Sequence, residues 1–183
     1  MLIDETDLKG VFRGHFDIFS DCRGLFSKFF GAPEIMRLWG TRSIKQINFS
    51  ETRLTGTIRG LHFQNPPYAE MKLIVCLNGQ VYDVAADLRA PSDTFKRHVS
   101  VVLNPFDFIL IPEGCAHGFQ VLAPDSRLLY LHSADYVVSA ESGVRFNDET
   151  LQIEWPLQAV NVSDKDLQLP TLGDSFTGMT LHV

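Results

Sequence analysis

Residues 72–88 read Lys72-Leu73-Ile74-Val75-Cys76-Leu77-Asn78-Gly79-Gln80-Val81-Tyr82-Asp83-Val84-Ala85-Ala86-Asp87-Leu88. Two strand-like runs, Lys72 to Leu77 and Gln80 to Leu88, flank Asn78-Gly79. That dipeptide is a strong signal for a two-residue hairpin, so the reading predicts two short antiparallel strands and a tight turn. The pattern repeats downstream. Val99 to Leu103 and Phe106 to Ile111 are separated by Asn104-Pro105, and Gly118 to Leu122 and Arg127 to Ser133 by Ala123-Pro124-Asp125. Short strands at this spacing predict an all-β fold, an antiparallel sandwich or barrel. A small barrel encloses an interior reached from one mouth and lined by alternate residues. Helices are expected to be few and short. One runs from Ala32 to Trp39, with Pro33 in its first turn and Gly40 at its end; another runs from Ser163 to Leu167, with Ser163 as cap.

The chain has 183 residues, 45% hydrophobic and 21% charged. That fits one domain spanning 1–183, and no linker, repeat or low-complexity stretch divides it. Sixteen basic against 22 acidic residues leave a net charge of −6. An acidic chain is a poor nucleic-acid partner, because phosphate neutralisation needs a basic surface. An anionic small ligand is still compatible, since a few arginines in one pocket suffice. Leu73 to Leu77 is the longest uninterrupted apolar run, too short for a membrane span. The N-terminus is acidic where a secretory signal is basic and then apolar, so a cytoplasmic protein is expected. Cys22, Cys76 and Cys115 form no CxxC pair. Cys76, inside an apolar run, reads as a buried free thiol.

Two segments carry chemistry. In Thr57-Ile58-Arg59-Gly60-Leu61-His62-Phe63-Gln64, strand alternation puts Arg59 and Leu61 on one face and Ile58, Gly60, His62 and Gln64 on the other. In Pro112-Glu113-Gly114-Cys115-Ala116-His117-Gly118-Phe119, a Pro-x-Gly-x-x-His turn follows an apolar strand. This resembles the second motif of the cupin superfamily of small β-barrels. His117 reads equally as a turn histidine satisfied by backbone and as a pocket residue. Metal-binding cupins carry His-x-His and a later Glu. Here Gln64 stands at the second His position and Glu70 is the nearest Glu, so the ligands do not define a good metal site; neither metal nor cofactor is expected, and a metal-dependent cupin using His62, Gln64 and His117 is the rival reading.

A closer resemblance runs through most of the chain. Gln46-x-Asn48-x-Ser50, Arg59 to Gln64, Lys72-Leu73, Gly79 to Val84, Asp87-Leu88-Arg89, Ser92-x-Thr94-Phe95, Ile111 to Phe119, Tyr130, and Asn147-Asp148 with Ile153 to Pro156 all take part. Upstream stands Asp21-x-Arg23-Gly24-x-Phe26, and downstream Ser163-Asp164-Lys165-Asp166. Together these resemble the nucleotide-sugar 3,5-epimerases, a cupin family typified by dTDP-4-dehydrorhamnose 3,5-epimerase.

The resemblance implies a cupin-like jelly-roll barrel. It also implies a metal-independent reaction on a nucleotide-diphosphate sugar, and a homodimer with exchanged N-terminal strands. It makes His62 the base that removes a proton next to a C4 ketone, with Asp166 on its other ring nitrogen. It gives Lys72 the enolate oxygen and makes Tyr130 the acid on the opposite face. Arg23 and Arg59 are assigned to the diphosphate, Gln46 and Asn48 to the nucleotide, and Phe26, His117 and Tyr136 to the rest of the substrate. The residue types suit that chemistry, because histidine ordinarily titrates near pKa ~6.5 and a positioned cation stabilises an enolate. Each has a plainer reading alone: Lys72 as a solvated edge charge, Tyr130 as a core tyrosine, Arg23 as a turn residue pairing with Asp21. If Arg59 faces away from His62, it has to reach the phosphates from another wall or subunit. The chain departs from the family's usual residues at Lys28, Val75 and His98, and within Tyr130-Leu131-His132-Ser133-Ala134-Asp135-Tyr136.

Overall fold

The computed structural model describes residues 1–173 and 175–181. Its strands are β1 (Leu2–Glu5), β2 (Phe12–His15), β3 (Ile18–Asp21), β4 (Gly24–Ser27), β5 (Gln46–Thr52), β6 (Thr57–Gln64), β7 (Lys72–Asp87), β8 (His98–Leu103), β9 (Asp107–Ile111), β10 (Cys115–His132), β11 (Glu141–Gly143) and β12 (Asn161–Val162). The helices are α1 (Pro33–Trp39) and α2 (Asp164–Leu167), with a 3-10 turn at Val138–Ala140. Both expected helices are present. Gly40, at φ 70°, ends α1, and the Ser163 hydroxyl caps α2. Among the described residues no helix is long and apolar enough to cross a membrane.

Two of the three expected turns are not turns. β7 runs straight through Asn78-Gly79, and β10 runs through Ala123-Pro124-Asp125. The two strands pair antiparallel from Lys72 opposite His132 to Asp87 opposite Cys115. The turn-like residues meet at mid-length as register shifts between Val121 and Leu128. Gly79 has φ 79°, and a Cβ there would collide with Ser126. The Ser126 hydroxyl instead accepts from the Gln80 amide at 3.0 Å and donates to the Ala123 carbonyl at 2.6 Å. Asn-Gly supplies the positive φ that a bulge needs as readily as the one a hairpin needs. The outcome is decided by which distant strands offer pairing.

This bulge bends the ribbon and inverts its inside-outside alternation. Ile74 and Cys76 point inward before it, Val81 and Ala85 after it, and all four join one buried cluster with Val101, Ile109, Phe119 and Leu128. The ten-stranded sheet thereby folds over into two facing layers. One layer holds β1, β2, β9, the first half of β7, the second half of β10, and β5. The other holds β8, the remaining halves of β7 and β10, then β6 with β11 and β12. Asn104-Pro105 is a true turn that carries the chain from β8 in one layer to β9 in the other. The result is the cupin-like antiparallel barrel that the sequence predicts. Each outer face has its own cover. α1 buries Ile35 and Trp39 against Leu73, Val75, Phe108 and Leu110, and C-terminal segments lay Leu151, Leu172 and Met179 over Leu61, Phe63, Val84 and Ala86. With both faces covered, polar groups that point inward have one solvent-accessible place to go, the barrel mouth.

Candidate active site

His62 stands opposite His117 across β6 and β10, yet Arg59 stands opposite Phe119. Three steps on β6 therefore match two on β10, and the extra residue falls around Gly60. Gly60 has φ 113°, and a Cβ would meet the Gly118 Cα at 2.6 Å. This bulge inverts the alternation once more. Arg59 and His62, expected on opposite faces, line the same cavity. Simple period-two reading fails here because the strand is not regular.

The cavity has a volume of about 550 Å³, and its walls include His62, Lys72, His117, Tyr130, Glu70 and His132. A larger groove of about 890 Å³ adjoins it, shares Arg59 and His62, and is bordered by Glu51, Lys165 and Asp166. Volume does not identify the reacting centre. The titratable groups converge in the smaller space.

His62 Nε2 lies 2.7 Å from Asp166 Oδ1. The other carboxylate oxygen accepts from the Gly60 amide at 3.2 Å, so the bulge that turns His62 inward also anchors its partner. The Asp166 side chain is 5% exposed and that of His62 34%. Burial pushes the Asp166 carboxyl up, but the His62 hydrogen bond and charge, with the Gly60 amide, hold it below its ordinary value. The carboxylate stays ionised while the imidazole faces the cavity.

Lys72 is buried and does not behave as an edge charge. Its Nζ donates to the His62 carbonyl at 3.1 Å and pairs with Glu70 at 3.3 Å. The Tyr130 hydroxyl lies 3.1 Å from Ser50 Oγ. Burial, the leading cause, pushes this phenol well above its ordinary value, so it is protonated at neutral pH. His117 is not satisfied by backbone. Its Nε2 lies 2.9 and 3.0 Å from the two oxygens of fully buried Asp83, and its ring meets Tyr130 edge-on at 6.2 Å. Burial raises the Asp83 carboxyl against the opposing effects of His117 and Lys72.

Around the mouth, Arg59 Nε donates to Thr52 Oγ1 at 3.0 Å. Gln46 donates to Asn48 at 2.9 Å. Tyr136 and Lys165 both donate to Glu141, at 2.7 and 2.6 Å. Gln64, at the cupin ligand position, is occupied elsewhere: its amide donates to the Tyr68 and Asp135 carbonyls and its oxygen accepts from the Val137 amide. Among the described residues no three His, Cys, Asp or Glu side chains are grouped to share a metal ion.

Three expected substrate residues do not line the cavity; Gln46, at the start of β5, is one of them. Arg23 and Phe26 sit on the β3–β4 hairpin and border a separate surface groove of about 480 Å³. The Arg23 side chain is 85% exposed and pairs with Asp21 at 2.5 Å, as the plainer reading had it. Of the three departures from the family pattern, Lys28 is exposed beside this hairpin and Val75 is buried under α1. His98 is half-buried near the Leu151 backbone, and burial lowers its pKa. None of them lines the cavity. The sequence reading missed Asp83, Ser50, Glu141, and the Glu70–His132 pair. An acid inside the apolar run 80–88 was a usable signal for Asp83; nothing in spacing links Glu70 to a histidine 62 positions away.

A family profile described as dTDP-4-dehydrorhamnose 3,5-epimerase matches residues 5–174. The curated dTDP-4-dehydrorhamnose 3,5-epimerase of Shigella flexneri is 36% identical over 170 residues, 91% of this chain and 93% of that one. A crystal structure of the Bacillus anthracis dTDP-4-dehydrorhamnose 3,5-epimerase with TDP and PPi bound superposes with a TM-score of 0.87 at 38% identity, covering 93% of this chain and all of the other. The Legionella pneumophila dTDP-6-deoxy-D-glucose-3,5-epimerase in complex with dTDP-4-keto-L-rhamnose gives a TM-score of 0.90 at 32% identity, covering 100% and 99%.

Proposed function

The chain belongs to the dTDP-4-dehydrorhamnose 3,5-epimerase family, and from that premise we propose how its residues carry out the reaction. It is an isomerase of a dTDP-linked 4-keto-6-deoxy sugar, inverting carbons that flank the C4 ketone. The observation that carries the residue assignment is one cavity lined by His62, a buried lysine and a protonated tyrosine, with Asp166 bonded to His62 from the adjoining groove.

His62 removes the proton. Ionised Asp166 holds its ring and stabilises the imidazolium that forms. The electron pair moves onto the C4 oxygen, where the Lys72 ammonium stabilises the developing enolate. Tyr130 returns a proton on the opposite face, and its raised pKa keeps that proton available. His117, fixed by Asp83, closes the cavity beneath the sugar. Arg59 takes the diphosphate, and Gln46, Asn48 and Tyr136 line the way to the nucleotide.

Arg23 and Phe26 join the site from a second copy of the chain. Their exposure on a hairpin that, among the described residues, pairs with no other strand supports a homodimer in which that hairpin reaches across. We read residues 1–183 as one domain, since all three buried clusters share the same two layers. Free thiols at Cys22, Cys76 and Cys115 fit a cytoplasmic setting.

The test is incubation with dTDP-4-dehydro-6-deoxyglucose in deuterated water. Deuterium is expected at C3 and C5 with inversion at both; no incorporation at either overturns the assignment. The reading requires no metal, so dialysis against a chelator leaves the rate unchanged, and a rate restored only by a divalent metal contradicts it.

A further inference from the structure

Lys72, Glu70 and His132 form a cluster that the reaction above uses only in part. Their side chains are 7, 10 and 11% exposed. Glu70 Oε1 lies 3.3 Å from Lys72 Nζ, and Glu70 Oε2 accepts from His132 Nδ1 at 2.9 Å. With its proton on Nδ1, the imidazole offers Nε2 as acceptor, and Asn48 Nδ2 faces it at 3.4 Å. Burial pushes the Glu70 carboxyl up, but the His132 hydrogen bond and the Lys72 charge hold its pKa below the ordinary value. The carboxylate is therefore charged, and both of its oxygens are committed.

An ammonium has three donors. Lys72 gives one to the His62 carbonyl at 3.1 Å and directs another at Glu70. Tetrahedral geometry then sets the direction of the third, the one left for a substrate oxygen. A lysine on a flexible four-carbon stem is a poorly aimed charge by itself. Two fixed contacts remove that freedom, and enolate stabilisation depends on donors being in place before charge develops. Unlike a surface ion pair, this one is enclosed, so its geometry is held by packing. The His132 ring also stacks on Tyr130 at 6.1 Å and 19°, which fixes the imidazole that in turn fixes Glu70.

We propose that Glu70, held by His132, is a positioning residue that aims the Lys72 ammonium at the C4 oxygen of the sugar. The proposal rests on the epimerase reading above. It makes Glu70 act through Lys72 and not on the substrate.

The test is a double-mutant cycle read as solvent-deuterium exchange into dTDP-4-dehydro-6-deoxyglucose. Glu70→Gln keeps the side-chain shape and removes the charge. In the wild-type background it is expected to lower kcat about tenfold or more while KM moves less than about threefold. In a Lys72→Met background the same change is expected to cost less than about twofold, because the group it positions is gone. His132→Gln, which still donates to Glu70 but loses the stacked ring, is expected to give a smaller loss of the same kind. Melting temperatures of all variants separate misfolding from misaiming. Equal losses in both backgrounds, a rise in KM alone, or no loss overturns the proposal; the KM result would mean that Glu70 contacts the sugar directly. A wild-type protein that fails to exchange overturns the epimerase reading, whereas normal exchange with an indifferent Glu70→Gln overturns only this inference.

Discussion

In the proposed reaction His62 and Tyr130 divide the two halves of an inversion, and single atoms test the division. Tyr130→Phe keeps the ring and deletes the hydroxyl that meets Ser50. On that proposal His62, Asp166 and Lys72 still form and hold the enolate, so substrate protons are expected to keep exchanging on the original face. Inverted product is expected to fall by about 10²-fold or more, the usual size of a general-acid contribution. Exchange and inversion measured in one tube give a ratio free of enzyme concentration; an unchanged ratio returns Tyr130 to the core. His62→Ala is expected to abolish exchange with little change in melting temperature, because the imidazole faces a cavity and its loss opens no packing void. A large drop in stability with residual exchange would mark His62 as a structural residue. That His62, Lys72, Tyr130 and Asp166 stand close together was legible at the residue scale, since all four occupy motif positions. The pairing of Glu70 with Lys72 and His132 was not, because a carboxylate buried beside a distant histidine is chosen by topology that no local pattern encodes; Asp83, the partner of His117, left only the sign of an acid within an apolar run.

At the scale of elements, strand-forming runs announced the β architecture, but the connections between them were misread for one physical reason. Asn78-Gly79 has the backbone freedom for either a hairpin or a bulge, and the competing long-range pairing of β7 with β8, β9 and β10 selected the bulge. Gly60 repeats the lesson on β6, where one extra residue moves Arg59 into the cavity. The turn leaving β7 shows the opposite case, a network formed locally within Asp87-Leu88-Arg89 and Ser92-x-Thr94. Asp87 is fully buried and accepts from Arg89, Ser92 and Thr94 side chains at 2.6 to 2.8 Å. Burial raises its carboxyl, but these donors outweigh it and bring the pKa from 3.8 to about 2. A pKa lowered on folding means stability that is present above the unfolded value and lost as pH falls through the folded one. The contribution is on the order of 2 kcal/mol at neutral pH. Asp87→Asn is therefore expected to be less stable than wild type by at least that much at pH 7, with the gap closing between about pH 4 and 2. Urea midpoints across that range check it; a gap that does not depend on pH would show that shape, and not charge, matters at this turn.

The whole molecule carries apolar surface that one chain leaves uncovered. Phe19 and Phe26 oppose each other across the β3–β4 hairpin and are 61 and 64% exposed. Ile18 and Leu25 are exposed as well, and so are Ile47 and Phe49 on edge strand β5. A lone two-stranded hairpin is marginal in water, and an exposed apolar edge is an association surface. Both features are accounted for if the hairpin of one subunit packs on the other and delivers Arg23 of the partner subunit to the diphosphate. Wild-type protein is then expected to sediment at twice the 20.6 kDa chain mass. Phe19→Glu with Leu25→Glu places a charge on each face of the hairpin and is expected to give monomers. The monomer is expected to keep His62, Lys72 and Tyr130 in one cavity, with Asp166 behind His62, but to lose the second arginine. Affinity for dTDP is expected to fall about tenfold or more, the worth of a charge-assisted guanidinium–phosphate contact. Sedimentation and dTDP titration on the same samples link the two effects. A wild-type monomer that binds dTDP tightly would place the whole nucleotide site within one chain and leave Arg23 as the turn residue that pairs with Asp21.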